Sequence, residues 1–181
     1  MNGIIIYKGR YGATRQYAEW LGEALNLPVH SQGDLKSKDL SLYDFVIVGS
    51  SVYIGRLLLR EWLAKNVTTL KSKVVFLFVV SATGENEKER TQKIINENIP
   101  PLLQQGFNIF FLLGRVIKSK LTWRDRWMVK IGARLEKDPA RKKVMMEDMD
   151  AVKKENITEM LKIINMLTAK IDVAPDDRIP A

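Results

Sequence analysis

Residues 7–14 read Tyr-Lys-Gly-Arg-Tyr-Gly-Ala-Thr and stand directly behind the apolar run Gly3-Ile4-Ile5-Ile6. A bare turn needs one glycine or asparagine. Two glycines, two cations and a hydroxyl in so short a stretch describe a place where a ligand comes close to the backbone. If a helix starts here, its unpaired N–H groups and its dipole make an anion site. Gly9 and Gly12 let the chain turn and approach; Thr14 can cap the helix and offer its hydroxyl to a phosphate. Lys8 and Arg10 add positive charge, so Lys8, Gly9, Arg10, Tyr11, Gly12, Ala13 and Thr14 form a candidate phosphate cradle. The plain alternative is an ordinary strand-to-helix turn.

A second loop, Ser51-Val52-Tyr53-Ile54-Gly55-Arg56, follows the apolar run Asp44–Ser50. The Tyr53 ring can stack on a flat heterocycle, and Gly55 frees neighbouring backbone groups to meet the edge of that ring. Alternatively Tyr53 packs beneath the next helix. A third loop, Ser81-Ala82-Thr83-Gly84-Glu85-Asn86-Glu87-Lys88, has small residues suited to closing over the other side of such a ring. A phosphate cradle and a stacking platform one strand apart describe a mononucleotide with a large planar head, which FMN satisfies. The dinucleotide signature G-x-G-x-x-G is absent, and so is the Gly-Lys-Ser/Thr of a P-loop. A phosphoacceptor receiver domain would need acidic residues after the first strand and an aspartate ending the third. Tyr7-Lys8-Gly9 and Gly49-Ser50 occupy those places.

The elements that must position these loops alternate between short apolar runs and helical patterns, as a parallel α/β sheet requires. Strands are expected at Gly3–Tyr7, Leu27–Ser31, Asp44–Ser50, Lys73–Ala82 and Phe107–Gly114. Helices are expected at Thr14–Asn26, Leu57–Val67, Glu87–Asn98 (ended by Pro100-Pro101) and Asp148–Ile171. Five strands with interleaved helices fit a doubly wound, flavodoxin-like sheet of order 2-1-3-4-5, in which ligands sit beyond the carboxyl ends of the strands. One domain is expected over residues 1–171, with a basic helical insertion at 115–146 after the fifth strand region and a flexible tail at 172–181.

The chain has 181 residues, 46% of them hydrophobic, one histidine and no cysteine. That is enough for one core, and it removes disulfide frameworks and the usual zinc, haem and iron–sulfur ligand sets, so no metal site is expected. The longest apolar run, Val74–Val80, falls far short of the roughly 20 residues that span a bilayer. A cytoplasmic protein is expected, soluble or peripheral on the inner membrane face. The net charge of +8 is local: Arg115–Lys143 holds eleven Lys or Arg against three Asp or Glu, leaving eighteen of each elsewhere. From Arg124 onward, Trp127, Met128, Ile131 and Leu135 fall at 3-and-4 spacing as an apolar stripe flanked by Arg126, Lys130, Arg134 and Lys137.

"IIIYKGRYGAT", "DFVIVGSSVYIGR" and "KVVFLFVVSATGENEKERT" resemble the phosphate loop, flavin loop and fourth strand of flavodoxin-like proteins over nearly the whole chain. "LGRVIKSKLTWRDRWMVKIGARLEK" is similar to the basic, aromatic-rich insertion of the flavodoxin-type, menaquinone-dependent protoporphyrinogen oxidases. Lys8 and Gly9 depart from the family's hydroxyl-rich phosphate loop; Thr14 keeps its match. The resemblance implies FMN as cofactor, a porphyrinogen as reductant and a quinone as acceptor.

Three functions follow from these features. An FMN oxidoreductase uses both loops and leaves the hard chemistry to the cofactor. No acid–base residue stands out; Glu85 is the nearest candidate and reads more simply as a solvated carboxylate. A flavodoxin-like electron carrier would use the basic stretch to dock an acidic partner. A nucleic-acid module would use Trp123 and Trp127 among cations, but it leaves both flavin loops without a purpose, so no nucleic acid is expected. Arg115–Lys143 fits an anionic membrane surface as partner or the carboxylates of a porphyrinogen; the plain alternative is an extra helix packed on the domain with its charges solvated.

Overall fold

In the computed structural model, residues 2–34, 40–82, 87–137 and 146–173 are described, together with Pro139 and Lys142. Thr83, Gly84, Glu85 and Asn86 of the third loop, Arg141 and Lys143 of the basic stretch, and the tail from Ala174 lie outside the described residues.

Five parallel strands, β1 (Gly3–Lys8), β2 (Val29–Ser31), β3 (Phe45–Tyr53), β5 (Val74–Ser81) and β6 (Phe107–Leu113), form a sheet of order β2-β1-β3-β5-β6. This is the expected doubly wound order. Short β4 (Arg56–Leu57) turns back antiparallel on the end of β3, pairing Tyr53 with Arg56 and Val52 with Leu57.

The strands are apolar throughout because both faces are covered. One face carries Ile4, Ile6, Val46, Val48, Leu77 and Val79 against helices α2 (Arg60–Lys65), α3 (Val67–Lys71), α4 (Lys88–Asn98) and α5 (Pro101–Gln104). The other carries Ile5, Ile47, Phe76, Phe78 and Val80 against α1 (Ala13–Leu25) and the C-terminal helix α7 (Thr158–Val173). Each such side chain contributes roughly 1.5–3 kcal/mol when withdrawn from water.

Two expected helices are revised. Leu57–Val67 is not one helix: Leu57 belongs to β4, and Asn66 separates α2 from α3, its side-chain amide donating to the Trp62 carbonyl at 2.8 Å. The last helix begins at Thr158, not Asp148. Residues Met149–Asp150 (β8) pair instead with Arg115–Val116 (β7), fastened by the Arg115–Asp150 ion pair at 2.7 Å. The Asp148 carboxylate accepts the Lys118 N–H at 2.9 Å, so this stretch anchors the start of the basic segment. Pro101 starts α5, where its missing N–H is harmless.

Candidate functional site

At the carboxyl ends of β1, β3 and β5 a cavity of about 480 Å³ opens between the first two loops, the end of β5 and the helix α6 (Trp123–Leu135). Its walls take Arg10, Tyr11, Ala13 and Thr14 from the first loop, Ser51, Val52, Tyr53 and Ile54 from the second, and Ser81 and Ala82 from the third. Lys8, Gly9, Gly12 and Gly55 are not among its lining residues. Lys8 is turned aside, its Nζ donating to the Gln32 side chain at 3.1 Å.

Gly12, not Thr14, caps α1. Its φ of 85° and ψ of −19° are left-handed, and it makes no side-chain cap. Thr14 lies one residue inside the helix and is 1% exposed. Gly9 is small because Thr14 requires it: a Cβ on Gly9 would stand 2.7 Å from the Thr14 Cβ and Oγ1. Glycine at 9 and threonine at 14 are thus one packing unit, with the threonine hydroxyl and the first N–H groups of α1 beside the cavity.

The second loop is a two-residue hairpin turn with positive φ at both central residues, Ile54 at 50° and Gly55 at 71°. Such turns match strand twist, but a β-branched residue there is strained. Asn98 holds the turn: its buried side chain accepts the Leu57 N–H and donates to the Gly55 carbonyl, both at 2.9 Å. Sequence reading missed Asn98; a lone amide near the end of a helix carries no signal of what it will meet.

Asp125 is the larger surprise. It lies inside the most basic stretch of the chain yet is 3% exposed. The Tyr53 hydroxyl donates to its Oδ1 at 2.6 Å, the Tyr11 hydroxyl donates to its Oδ2, and the Arg10 guanidinium pairs with Oδ2 at 3.0 Å. Arg10 also covers one face of the Tyr53 ring, 4.3 Å from the centroid. Burial works to raise the Asp125 carboxyl, but hydrogen bonds from Tyr11, Tyr53 and Thr122 and the charge of Arg10 outweigh it, and the group is held below the usual range. Tyr11 is pushed up first by burial and then by its hydrogen bond to Asp125. For Tyr53 the hydrogen bond to Asp125 leads, with burial second. The cluster is therefore an ionised carboxylate between two neutral phenols and a guanidinium. A threonine three residues ahead was the one local hint: Thr122 caps α6, accepting the Asp125 N–H at 3.3 Å.

Helix α6 does not present the expected single apolar stripe. Met128, Ile131 and Leu135 line the cavity with Val129 and Gly132, although Met128 and Leu135 are themselves exposed; Trp127 and Trp123 do not line it and are 65% and 74% exposed. Only Asp125 and Ala133 are buried along this helix. The cavity is consequently loop-walled and polar on one side, apolar on the other.

Among the described residues, Ser51 Oγ is the one buried side-chain polar atom with no hydrogen-bond partner, and Ser51 lines this cavity. A buried hydroxyl without a partner is costly unless a ligand satisfies it. The neighbouring Ser50 shows the contrast, its hydroxyl accepting the Leu59 N–H at 3.1 Å.

A family model described as "Flavodoxin domain" matches residues 4–143. The chain belongs to the flavodoxin-domain family. Its cofactor is FMN, and the residues present fit that group: a helix start with open space around Gly12, a threonine hydroxyl, and an unsatisfied serine in the loop wall. No curated protein matches this flavodoxin-domain chain in sequence. Among solved structures it is similar to a Trp repressor binding protein from Bacillus subtilis, with 16% identity, 62% of this chain and 83% of that one covered, and a TM-score of 0.46. It is also similar to a flavodoxin from the domain Archaea, with 22% identity, 71% and 90% covered, and a TM-score of 0.39.

Proposed function

We propose that this flavodoxin-domain protein is an FMN-dependent oxidoreductase that takes electrons from a reduced organic substrate, by resemblance a porphyrinogen, and passes them to a quinone. The observation that supports this reading is the apolar wall of α6. A carrier that only exchanges electrons with a protein has no need of an apolar wall over its cofactor site; an organic reactant that must reach the flavin does. The Thr14 hydroxyl and the α1 N-terminus would receive the phosphate, and Ser51, Tyr53 and Ala82 the flat ring. Bound FMN supplies the hydride or electron acceptance. The chain's own part is to bind, orient and exclude water. The one described carboxylate in the cavity wall, Asp125, is committed to Tyr11, Tyr53 and Arg10 and is not available to move a proton.

Purified protein is expected to be yellow and to release FMN on denaturation. Adding protoporphyrinogen and a menaquinone should give flavin-dependent porphyrin formation at least about tenfold above a flavin-only control. FMN content without any such turnover would instead support the electron carrier.

The outward face of α6 supports a peripheral site on an anionic membrane, the natural reservoir of a lipid-soluble quinone. Trp123 and Trp127 are exposed beside Arg124, Arg126, Lys130 and Arg134, and Arg124 lies 5.2 Å from the Trp123 ring centroid. Among the described residues no helix is long and apolar enough to cross a membrane, so attachment would rest on interfacial aromatics and charge. Basic residues at an anionic surface contribute about 1 kcal/mol each, which predicts reversible, salt-sensitive binding. The protein should co-sediment with phosphatidylserine vesicles at low salt and not with phosphatidylcholine vesicles. Reversing Arg126, Lys130 and Arg134 to glutamate should abolish co-sedimentation and lower quinone-linked turnover while FMN content stays unchanged. Equal sedimentation with both lipids would rule the surface out.

A further inference from the structure

Helix α6 forms one wall of the flavin cavity, yet little of it is buried: along its length only Asp125 and Ala133 are withdrawn from solvent. Its apolar residues Met128, Ile131 and Leu135 line the cavity, and Met128 and Leu135 remain exposed. Near its N-terminus the attachment rests on one carboxylate. Asp125 collects Tyr11 and Arg10 from the first cofactor loop and Tyr53 from the second, three partners from two separate loops. At the other end the residue after the helix, Glu136, meets Arg90 at 3.2 Å, in a pair whose guanidinium is about half in solvent and correspondingly weaker than a buried one.

We infer that Asp125 is a positioning residue for the flavin site: it ties the basic helix to both cofactor loops so that helix and loops close on the bound cofactor as one unit. The proposal rests on the FMN reading. Each oxygen of the carboxylate has its own loop, Oδ1 taking Tyr53 and Oδ2 taking Tyr11 and Arg10. Without it the two loops lose their common partner. Arg10 then loses the anion that holds it over the Tyr53 ring, and the wall bearing Met128 and Ile131 loses this fastening. The α6 wall of the cavity therefore depends on a single acidic residue of that helix. Along α6 the buried Asp125 turns inward to the loops, while Arg124, Arg126, Lys130 and Arg134 are exposed.

The test uses the full chain in two arms. In the first, apoprotein is digested briefly with trypsin and cleavage is read at Lys130 and Arg134, whose flanking residues are unchanged in the variants and which are cut only when the helix opens. Asp125→Ala should be cut there at least about tenfold faster than wild type, and Asp125→Asn, which keeps the shape but not the charge, by an intermediate factor. In the second arm, FMN-loaded protein is followed by flavin fluorescence. Dissociation should be at least about tenfold faster for Asp125→Ala and for the double variant Tyr11→Phe with Tyr53→Phe, and iodide should quench the bound flavin more strongly. Far-UV circular dichroism and the melting temperature monitor the sheet, to which α6 contributes no strand; should Asp125→Ala fold poorly, Asp125→Asn and the tyrosine pair carry the test. Faster cleavage with unchanged FMN dissociation would reduce Asp125 to a structural tie and overturn the positioning role. Unchanged cleavage in all variants would overturn the tie itself. Should wild-type protein take up no FMN, the cofactor reading fails separately, and the trypsin rates still decide whether the helix is fastened through Asp125.

Discussion

Gly12→Val should weaken FMN binding by about 100-fold or more, equivalent to roughly 2.7 kcal/mol. Two effects act together. The native φ of 85° is one that a β-branched residue adopts only under strain, at a cost of about 1–3 kcal/mol. The side chain would also project into the open space before the α1 N–H groups, where nothing lies within 4 Å of a Cβ at this position. Gly12→Asn separates the two effects, since asparagine tolerates the left-handed region; it should lose less affinity than valine while still filling the space. Thr14→Ala removes one hydroxyl and should cost about 1 kcal/mol, or roughly fivefold in affinity. Fluorescence titration of FMN against the three variants measures all of this. Wild-type affinity in Gly12→Val would exclude the first loop as the phosphate site.

The second large effect lies beneath the site, where β3 and β5 run side by side. Gly49 and Phe78 are register partners, and the fully buried Phe78 ring covers the glycine so closely that a Cβ there would stand 2.1 Å from Cζ. A ring covering a glycine in a neighbouring strand is a known way to fill the missing side chain's space. Phe78→Ala should destabilise the protein by about 3–5 kcal/mol through lost burial and the cavity left behind. Gly49→Ala should cost about 1–3 kcal/mol through overpacking. The double variant should cost clearly less than the two single losses together, because the methyl group introduced at position 49 occupies part of the space the ring vacates. Urea unfolding of the four proteins gives the coupling directly, provided the m-values agree. Strict additivity would mean that the ring does not press on the glycine. These substitutions should also lower FMN occupancy only as far as they unfold the protein, since neither residue lines the cavity.

The sheet was legible in the sequence because its information is local. A strand buried on both faces must be apolar along its whole length, so "GIII", "DFVIVGS" and "KVVFLFVV" identify themselves, and their alternation with helical patterns leaves few possible orders. The first loop was legible for the same reason: glycines and a threonine at close spacing before a helix are a contiguous signal. Tertiary structure decided what depends on distant partners. Asp125 meets Tyr53 across 72 residues and Tyr11 across 114, and nothing in a window around "WRDRW" distinguishes a buried latch from a solvated charge. The periodicity of α6 showed a stripe, but periodicity records only that residues share a face, not what that face meets. Met128, Ile131 and Leu135 line the cavity while Trp127 does not. At Ile54 local preference was overruled outright: a β-branched residue sits at positive φ because the β3–β4 pairing and the Asn98 side chain, both set by contacts beyond the turn, hold the hairpin closed.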